Sequence, residues 1–407
     1  MNRSLSSFVF LVGLLIALPG WGQTVSPASG GLEIGGYAKF VYAFSFRDDD
    51  SRWEGRDEFT TSMVGVRLHG ILSDSMDYNV EIAASYNPER NQGGLAGFPN
   101  PGEIGAVGLR EAYVTFDLQE VVPWTTVRLG TFIPPLTNYM PRSVNNLDLI
   151  QYPLLNNAAR MNPDLFNNDN RPPARDLSTW QQTGFNVAVE TPYMIRLDFG
   201  MYNGMMPNQQ ANLDENVAEA TNIVMTFEPD DRISLSMAYW GEEFQQDYPG
   251  FATGAKRNLT AWYLYGSYVT SNLEVYADYS QAQIPRMQLD TSNEFTDLSW
   301  ESWQITVGYW ILNDVSLWAR YEEIDPNLSD RVQVPASRYD DSRWTTLGVN
   351  WNVTENMELS ANYVHKEEEG RFIDENDGSQ DPASPLYDTK YSAQRNDLFL
   401  FQVQVWQ

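Results

Sequence analysis

Runs in which apolar and polar residues alternate recur from Leu32 to Trp406, separated by stretches rich in Asn, Asp, Gly, Pro and Ser. The first is Leu32-Glu33-Ile34-Gly35-Gly36-Tyr37-Ala38-Lys39-Phe40, and the last covers Asp397 to Trp406. Neighbouring side chains of a strand point to opposite faces, so this alternation writes one apolar and one polar face. Sixteen runs are present, near 32–46, 62–72, 77–87, 107–117, 126–133, 181–190, 194–203, 219–228, 231–240, 258–269, 272–283, 301–311, 315–323, 343–353, 357–366 and 396–406. Tight connections take turns with long ones. The tight class includes Ser73 to Met76, Glu190 to Tyr193, Glu228 to Asp231 and Thr354 to Asn356, with Leu118 to Thr125 slightly longer. An even number of amphipathic strands with this loop alternation describes a transmembrane β-barrel, short turns in the periplasm and long loops outside. The expected fold is all-β: a 16-stranded antiparallel transmembrane β-barrel with a long third loop folded into the lumen. A soluble β-sandwich shares the alternation but leaves free edges, which closure removes.

The first segment fits export. Arg3 is followed by an apolar run, Phe8 to Leu18, and then by Pro19-Gly20-Trp21-Gly22. This is the layout of a secretory signal peptide over 1–22, leaving a single barrel domain over 23–407. The apolar run is too short for a membrane helix, and no later stretch has eighteen consecutive apolar residues. Mean hydropathy is −0.42, which a barrel tolerates because only alternate residues face lipid. The 22 Tyr and 13 Trp suit the membrane interfaces. Net charge is −28, and loss of Arg3 makes it −29. An acidic chain is a poor partner for nucleic acid, which needs a basic surface.

Parity sorts the strand faces. Ile34, Ala38, Phe40 and Tyr42 share the lipid face of the first strand, opposite Glu33, Tyr37 and Lys39. Tyr78, Val80, Ile82 and Ala84 face out in the third, opposite Asn79, Glu81 and Ser85. Leu273, Val275, Ala277 and Tyr279 repeat the pattern, opposite Glu274, Tyr276 and Asp278. The predicted lumen is mixed: Lys39, Arg67, Arg128, Arg196 and Arg320 stand against Glu33, Glu81, Glu111, Asp198, Glu274, Asp278 and Glu322. The longest connection, 134–180, is the expected constriction loop. It carries Arg142, Arg160, Arg171 and Arg175 beside Asp148, Asp164, Asp169 and Asp176. A structureless loop of this length is generally functional. The pore-lining and selectivity candidates are Lys39, Arg67, Glu81, Glu111, Arg128, Arg142, Asp148, Arg160, Arg171 and Arg175.

No catalytic or metal site is expected. The two histidines, His69 on the lumen face and His365 near the outer rim, have no serine in a nucleophile context, and no G-x-S-x-G, HExxH or CxxC occurs. Asp48-Asp49-Asp50 and Asp374-Glu375-Asn376-Asp377-Gly378 read as solvated loop acids, the second lacking an EF-hand frame. No cofactor is implied.

Several segments resemble a known family. Leu109-Arg110-Glu111-Ala112-Tyr113-Val114-Thr115-Phe116 followed by Val127-Arg128-Leu129-Gly130-Thr131-Phe132-Ile133-Pro134-Pro135 resembles the strand pair before the third loop in phosphate-selective porins of the O/P family. Gly35-Gly36-Tyr37-Ala38-Lys39 resembles their first strand, and Arg196-Leu197-Asp198-Phe199-Gly200-Met201-Tyr202-Asn203-Gly204 their seventh. The resemblance implies a homotrimeric, sixteen-stranded porin with an infolded third loop, seated in outer-membrane lipid, whose anion preference comes from lumen Arg and Lys. The C-terminal end departs from the usual pattern: Phe399, Phe401, Val403 and Val405 form the lipid row, and the aromatic Trp406 is out of phase with it. The expected function is passive diffusion of small hydrophilic or charged solutes, with anions such as phosphate one option. The alternative is a structural or adhesive barrel with a closed lumen. The mixed lumen leaves the sign of ion selectivity open, with weak preference at high salt and cation attraction growing as ionic strength falls.

Overall fold

The structure is a computed structural model that describes residues 32–47, 57–86, 107–138, 149–150, 182–203, 219–245, 256–289, 295–325, 342–368 and 394–406. The described chain forms sixteen strands. They are β1 (Leu32–Arg47), β2 (Asp57–Ser73), β3 (Met76–Tyr86), β4 (Val107–Asp117), β5 (Thr125–Phe132), β6 (Gln182–Glu190), β7 (Ile195–Tyr202) and β8 (Glu219–Asp230). They continue as β9 (Ile233–Gln245), β10 (Lys256–Val269), β11 (Leu273–Leu289), β12 (Phe295–Trp310), β13 (Val315–Asp325), β14 (Ser342–Thr354), β15 (Met357–Glu368) and β16 (Gln394–Trp406). Each strand pairs with its sequence neighbours, and β1 pairs with β16 in antiparallel register from Tyr37 opposite Trp406 to Arg47 opposite Asn396. The sheet is a closed barrel without free edges.

The expected strand count and order are present. Several strands run further than the alternation suggested, chiefly at the long-loop end. β11 continues past Pro285 to Leu289, with its register against β12 shifting between Ile284 and Gln288. Proline lacks the N–H that a ladder uses, so a sequence reading stops there; the irregularity absorbs it.

Burial follows parity. Ile34, Ile82, Leu129, Leu197, Met225, Trp262, Trp303, Leu347, Phe399 and Phe401 are exposed on the outer face. Buried residues of the opposite parity, such as Lys39, Asn79, Glu81, Asp198, Asn222 and Thr306, face inward. Outward aromatic pairs, Tyr239–Trp262, Trp303–Tyr321 and Tyr363–Phe399, have ring centroids 4.7–5.1 Å apart. His365 and Asp397 share this outer face, joined at 2.6 Å. Trp406 lies on the inner side and packs near Tyr37 and Trp318.

The interior is partly filled. Val41, Ile324, Trp344, Val364, Leu398 and Leu400 form an inward apolar cluster with Ile150 of the third loop. Leu149 joins Tyr37, Ala83, Tyr276 and Trp318 in a second. The wall from β13 through β16 to β1 is therefore apolar on both faces at this level.

Candidate pore and selectivity site

The third loop starts where β5 ends. Residues 134–138 and 149–150 are its described parts, and both touch the inner wall. Tyr265 Oη donates to the Pro135 carbonyl at 3.2 Å. The Asn138 N–H donates to Asp278 Oδ1 at 3.1 Å, and its side-chain amide donates to the Gly266 carbonyl at 3.0 Å. Asp278 is held from behind by Gln304 Nε2 at 2.7 Å. These contacts carry the loop from β5 to β10 and β11 across the barrel. The second anchor is Leu149–Ile150. A Cβ on Gly348 would lie 2.5 Å from Leu149 Cδ2, so Leu149 packs in the space the glycine leaves. Asn362, with its amide oxygen turned to the loop, accepts from the Ile150 N–H at 2.7 Å.

Beneath the loop's first turn lies an arc of rings on the inner wall. Tyr113 meets Phe132 edge-on at 5.9 Å, Phe132 meets Tyr202 at 5.7 Å, and Tyr202 stacks on Trp240 at 5.5 Å. Gly130 sits within it at φ +132°, and a Cβ there would lie 2.2 Å from the Ala112 carbonyl oxygen. Only glycine adopts that conformation in that space. Pro134 and Leu136 are buried above.

Exposure divides the inward charges into two walls. On β9 through β16 and β1 most are covered, the exposed Glu33 near the start of β1 and the half-buried Glu274 apart. Glu242, Asp278, Lys39 and the pair Arg320–Glu322 are all buried, with Arg320 Nε and Glu322 Oε2 2.8 Å apart though not aligned as a hydrogen bond. On β2 through β7 the wall is open, and arginines lie nearer the water than their acids. Arg67 is 46 % exposed, whereas Glu81 and Glu111, 3.6 and 3.8 Å away, are 3 % and 16 % exposed. Tyr37 Oη donates to Glu81 and Asn79 Nδ2 to Glu111, which satisfies these carboxylates from behind. Arg196 is 40 % exposed and lies 2.8 Å from Asp198, itself 3 % exposed and hydrogen-bonded by Asn186. Two acids at the short-turn end are exceptions: Glu190, exposed 2.9 Å from Arg196, and the exposed Asp117 at the end of β4.

Arg128 stands between Arg67 and Arg196. Its guanidinium lies 4.5 Å over the Tyr113 ring and 5.4 Å from that of Phe132. Such ring faces attract a cation without neutralising it. Among the described residues no carboxylate lies within ion-pair distance of Arg128, and its Nε has no hydrogen-bond partner.

Of the ten candidate residues, Lys39, Arg67, Glu81, Glu111 and Arg128 are all on inward-facing positions. Lys39 and Glu81 are buried there; Arg67 meets water and Arg128 is half-buried. Arg142, Asp148, Arg160, Arg171 and Arg175 lie outside the described residues, as do Asp48–Asp50 and 374–378. The sequence reading missed Asn138 and the ring arc. No local signal marks Asn138, because its partners are more than a hundred residues away. Among the described residues no group of three or more His, Asp or Glu is placed to hold a metal ion.

A closed sixteen-stranded barrel with a charged interior, its inner wall touched by the described parts of the loop after its fifth strand, is a porin's architecture, and the sequence agrees. The family model for phosphate-selective porin O and P matches residues 48–383, most of the chain. The chain belongs to this family. The fold is shared with solved outer-membrane proteins at low identity. An anion-selective porin from Comamonas acidovorans is 11 % identical with a TM-score of 0.59, covering 93 % of this chain and 100 % of its own. OprB of Pseudomonas putida is 9 % identical with a TM-score of 0.61, covering 93 % and 94 %. A trimer form of OmpT, an outer-membrane protein of Vibrio cholerae, is 11 % identical with a TM-score of 0.55, covering 93 % and 100 %. No curated protein matches the chain by sequence. The porin O and P chain is thus an outer-membrane porin for diffusion of small hydrophilic solutes.

Proposed function

We propose that this porin favours anions and that Arg128 is the residue that most sets the preference. The supporting observation is the absence of any acid beside Arg128 among the described residues, while Arg67 and Arg196 screen their own carboxylates from the water. Counting charges along the wall makes the lumen mixed; sorting them by exposure leaves arginine over acid at Arg67, Arg128 and Arg196, with the exposed acids Asp117 and Glu190 at the short-turn end. A guanidinium in a narrow, poorly hydrated passage acts on an ion at closer range than rim charges in bulk solvent. The family's phosphate selectivity and the anion selectivity of the Comamonas porin point the same way.

In this reading residues 1–22 are a cleaved signal peptide, 23–407 form the single barrel domain, short turns face the periplasm, and the barrel assembles as a trimer. The 134–180 loop constricts the pore by continuing inward between its two wall anchors, and its four arginines add to the same field. The protein catalyses no reaction. Reversal potential across a planar bilayer under a salt gradient is the test. Arg128→Ala is expected to move it toward cations; Arg67→Ala moves it the same way, partly by unmasking two acids. An unchanged potential in Arg128→Ala rejects the assignment. A parent protein without conductance would instead support the closed, structural barrel.

A further inference from the structure

The barrel wall is lowest at β5, β6 and β7, which have 8, 9 and 8 residues, against 11 to 17 in the other strands. At about 3.3 Å per residue and a tilt of roughly 35–45°, an eight-residue strand rises only ~19–22 Å, short of an apolar band of about 25 Å. β5 cannot make up the difference at its far end, because Pro134 and Leu136 already turn onto the inner wall.

The turns at the other end of these strands are apolar, as is the β12–β13 turn, which exposes Ile311 and Leu312. Leu118 to Trp124 joins β4 to β5 and exposes Val121 by 82 %, with Val122 and Trp124 also exposed. Thr191 to Met194 joins β6 to β7 and exposes Tyr193 by 78 %, with Met194 beside it. The turns Asp231-Arg232, Ser271-Asn272 and Glu355-Asn356 are polar, and the apolar Ile311-Leu312 turn carries no aromatic residue.

The β4–β5 and β6–β7 turns each end on a residue in the left-handed region: Trp124 at φ 61° and Met194 at φ 64°, the non-glycine residues with positive φ in the described structure. Each carbonyl accepts a bond from the next hairpin, Glu190 N–H to Trp124 and Glu228 N–H to Met194, both at 2.8 Å. Glycine would occupy these positions without strain. Side chains kept there despite strain have another use. Phe227, Tyr268, Tyr309 and Trp351 lie exposed on the outer face near the same end of β8, β10, β12 and β14. Trp124 and Tyr193 continue that row where the strands are too short to supply it.

We propose that the β4–β5 and β6–β7 turns are membrane-seated: Val121, Val122, Trp124, Tyr193 and Met194 lie in the headgroup–acyl boundary of the phospholipid leaflet at the short-turn end, closing its aromatic girdle. The proposal rests on the porin reading for the membrane, not for selectivity. Apolar turns thus extend the lipid-contacting belt of Val127, Leu129, Ile195 and Leu197, and Tyr and Trp are the side chains that prefer this depth.

The chain has no cysteine, so single-cysteine variants carry a spin label at one place. Val121→Cys, Gln119→Cys in the same turn and Glu355→Cys in a polar turn are reconstituted in phosphatidylethanolamine–phosphatidylglycerol vesicles. Conductance of the same preparations reports the pore separately. At 121 the label should collide several-fold more with oxygen than with a water-soluble nickel chelate, relative to 355. Gln119→Cys should fall between the two, and supplies the comparison with 355 should Val121→Cys not insert. Equal water access for the 119–121 turn and for 355 overturns the proposal. So does loss of access to both relaxing agents with label–label coupling, which would make the turn a contact between copies.

Discussion

Arg128 and Arg320 have the same side chain on the same inner wall and opposite surroundings. Arg320 and Glu322 are each 1 % exposed and hold one another. Removing one partner of a buried pair strands the other charge, at a cost of about 3–5 kcal/mol. Arg320→Ala should therefore lower resistance to urea unfolding in detergent while leaving reversal potential nearly unchanged in whatever fraction inserts. Arg128→Ala should do the reverse: it loses ring contacts of about 0.5–2 kcal/mol and moves the potential. A large potential shift in Arg320→Ala would show that the covered wall is wet and conducting. Both arginines were legible in the sequence as inward-facing, because parity alone decides that. Their difference was not. Exposure depends on which long side chain lies over which short one, and on where the described parts of the third loop touch the inner wall, neither of which alternation records.

At the scale of the element, the third loop is a strap with two described anchors. Asn138 reads the backbone of β10 and β11, and Leu149, beside Ile150, packs in the space that Gly348 leaves. Asp278→Leu removes the acceptor of the Asn138 N–H and the partner of Gln304, a loss of ~2 kcal/mol. Gly348→Val puts a branched side chain where Leu149 lies. Each should increase open-channel current noise in single-channel records, since Gly348→Val forces Leu149 and Asn362, which holds the Ile150 N–H, out of their seats. Quiet channels in both variants would mean that the strap does not border the conducting path. The barrel strands were readable because a lipid face and a water face repeat every two residues. The strap's seat was not: Leu398-Phe399-Leu400-Phe401 is apolar on both faces, lipid outside and loop inside, and a two-residue period is silent about what lies inward. The length of the loop pointed to function, while its partners on β10, β11 and β14 became visible only through closure of the barrel.

Taken as a whole, the molecule carries a formal charge of −28, yet its open inner wall presents arginine. These two facts act at different ranges. Much of the acid lies in connections between strands, among them Asp48–Asp50 and the 374–378 cluster, and acts on ions through solvent. At about 0.1 M salt the screening length is ~10 Å and at 1 M only ~3 Å. An ion in contact with Arg128 has little solvent between it and the guanidinium, so salt weakens the distant acids far more than the local charge. Selectivity should accordingly depend on ionic strength with a fixed direction: anion preference is greatest at high salt and drifts toward cations as salt is diluted. Reversal potentials at a constant concentration ratio, repeated from about 1 M down to about 0.1 M, give the measurement. Neutralising Asp48–Asp50 should flatten that drift and leave the high-salt value in place, whereas Arg128→Ala should lower the high-salt value and leave the drift. Anion preference that strengthens on dilution would show that the acidic connections lie too far from the path to matter. Cation preference persisting at 1 M would show that Glu190 or acids outside the described residues, and not Arg128, hold the narrow part of the pore.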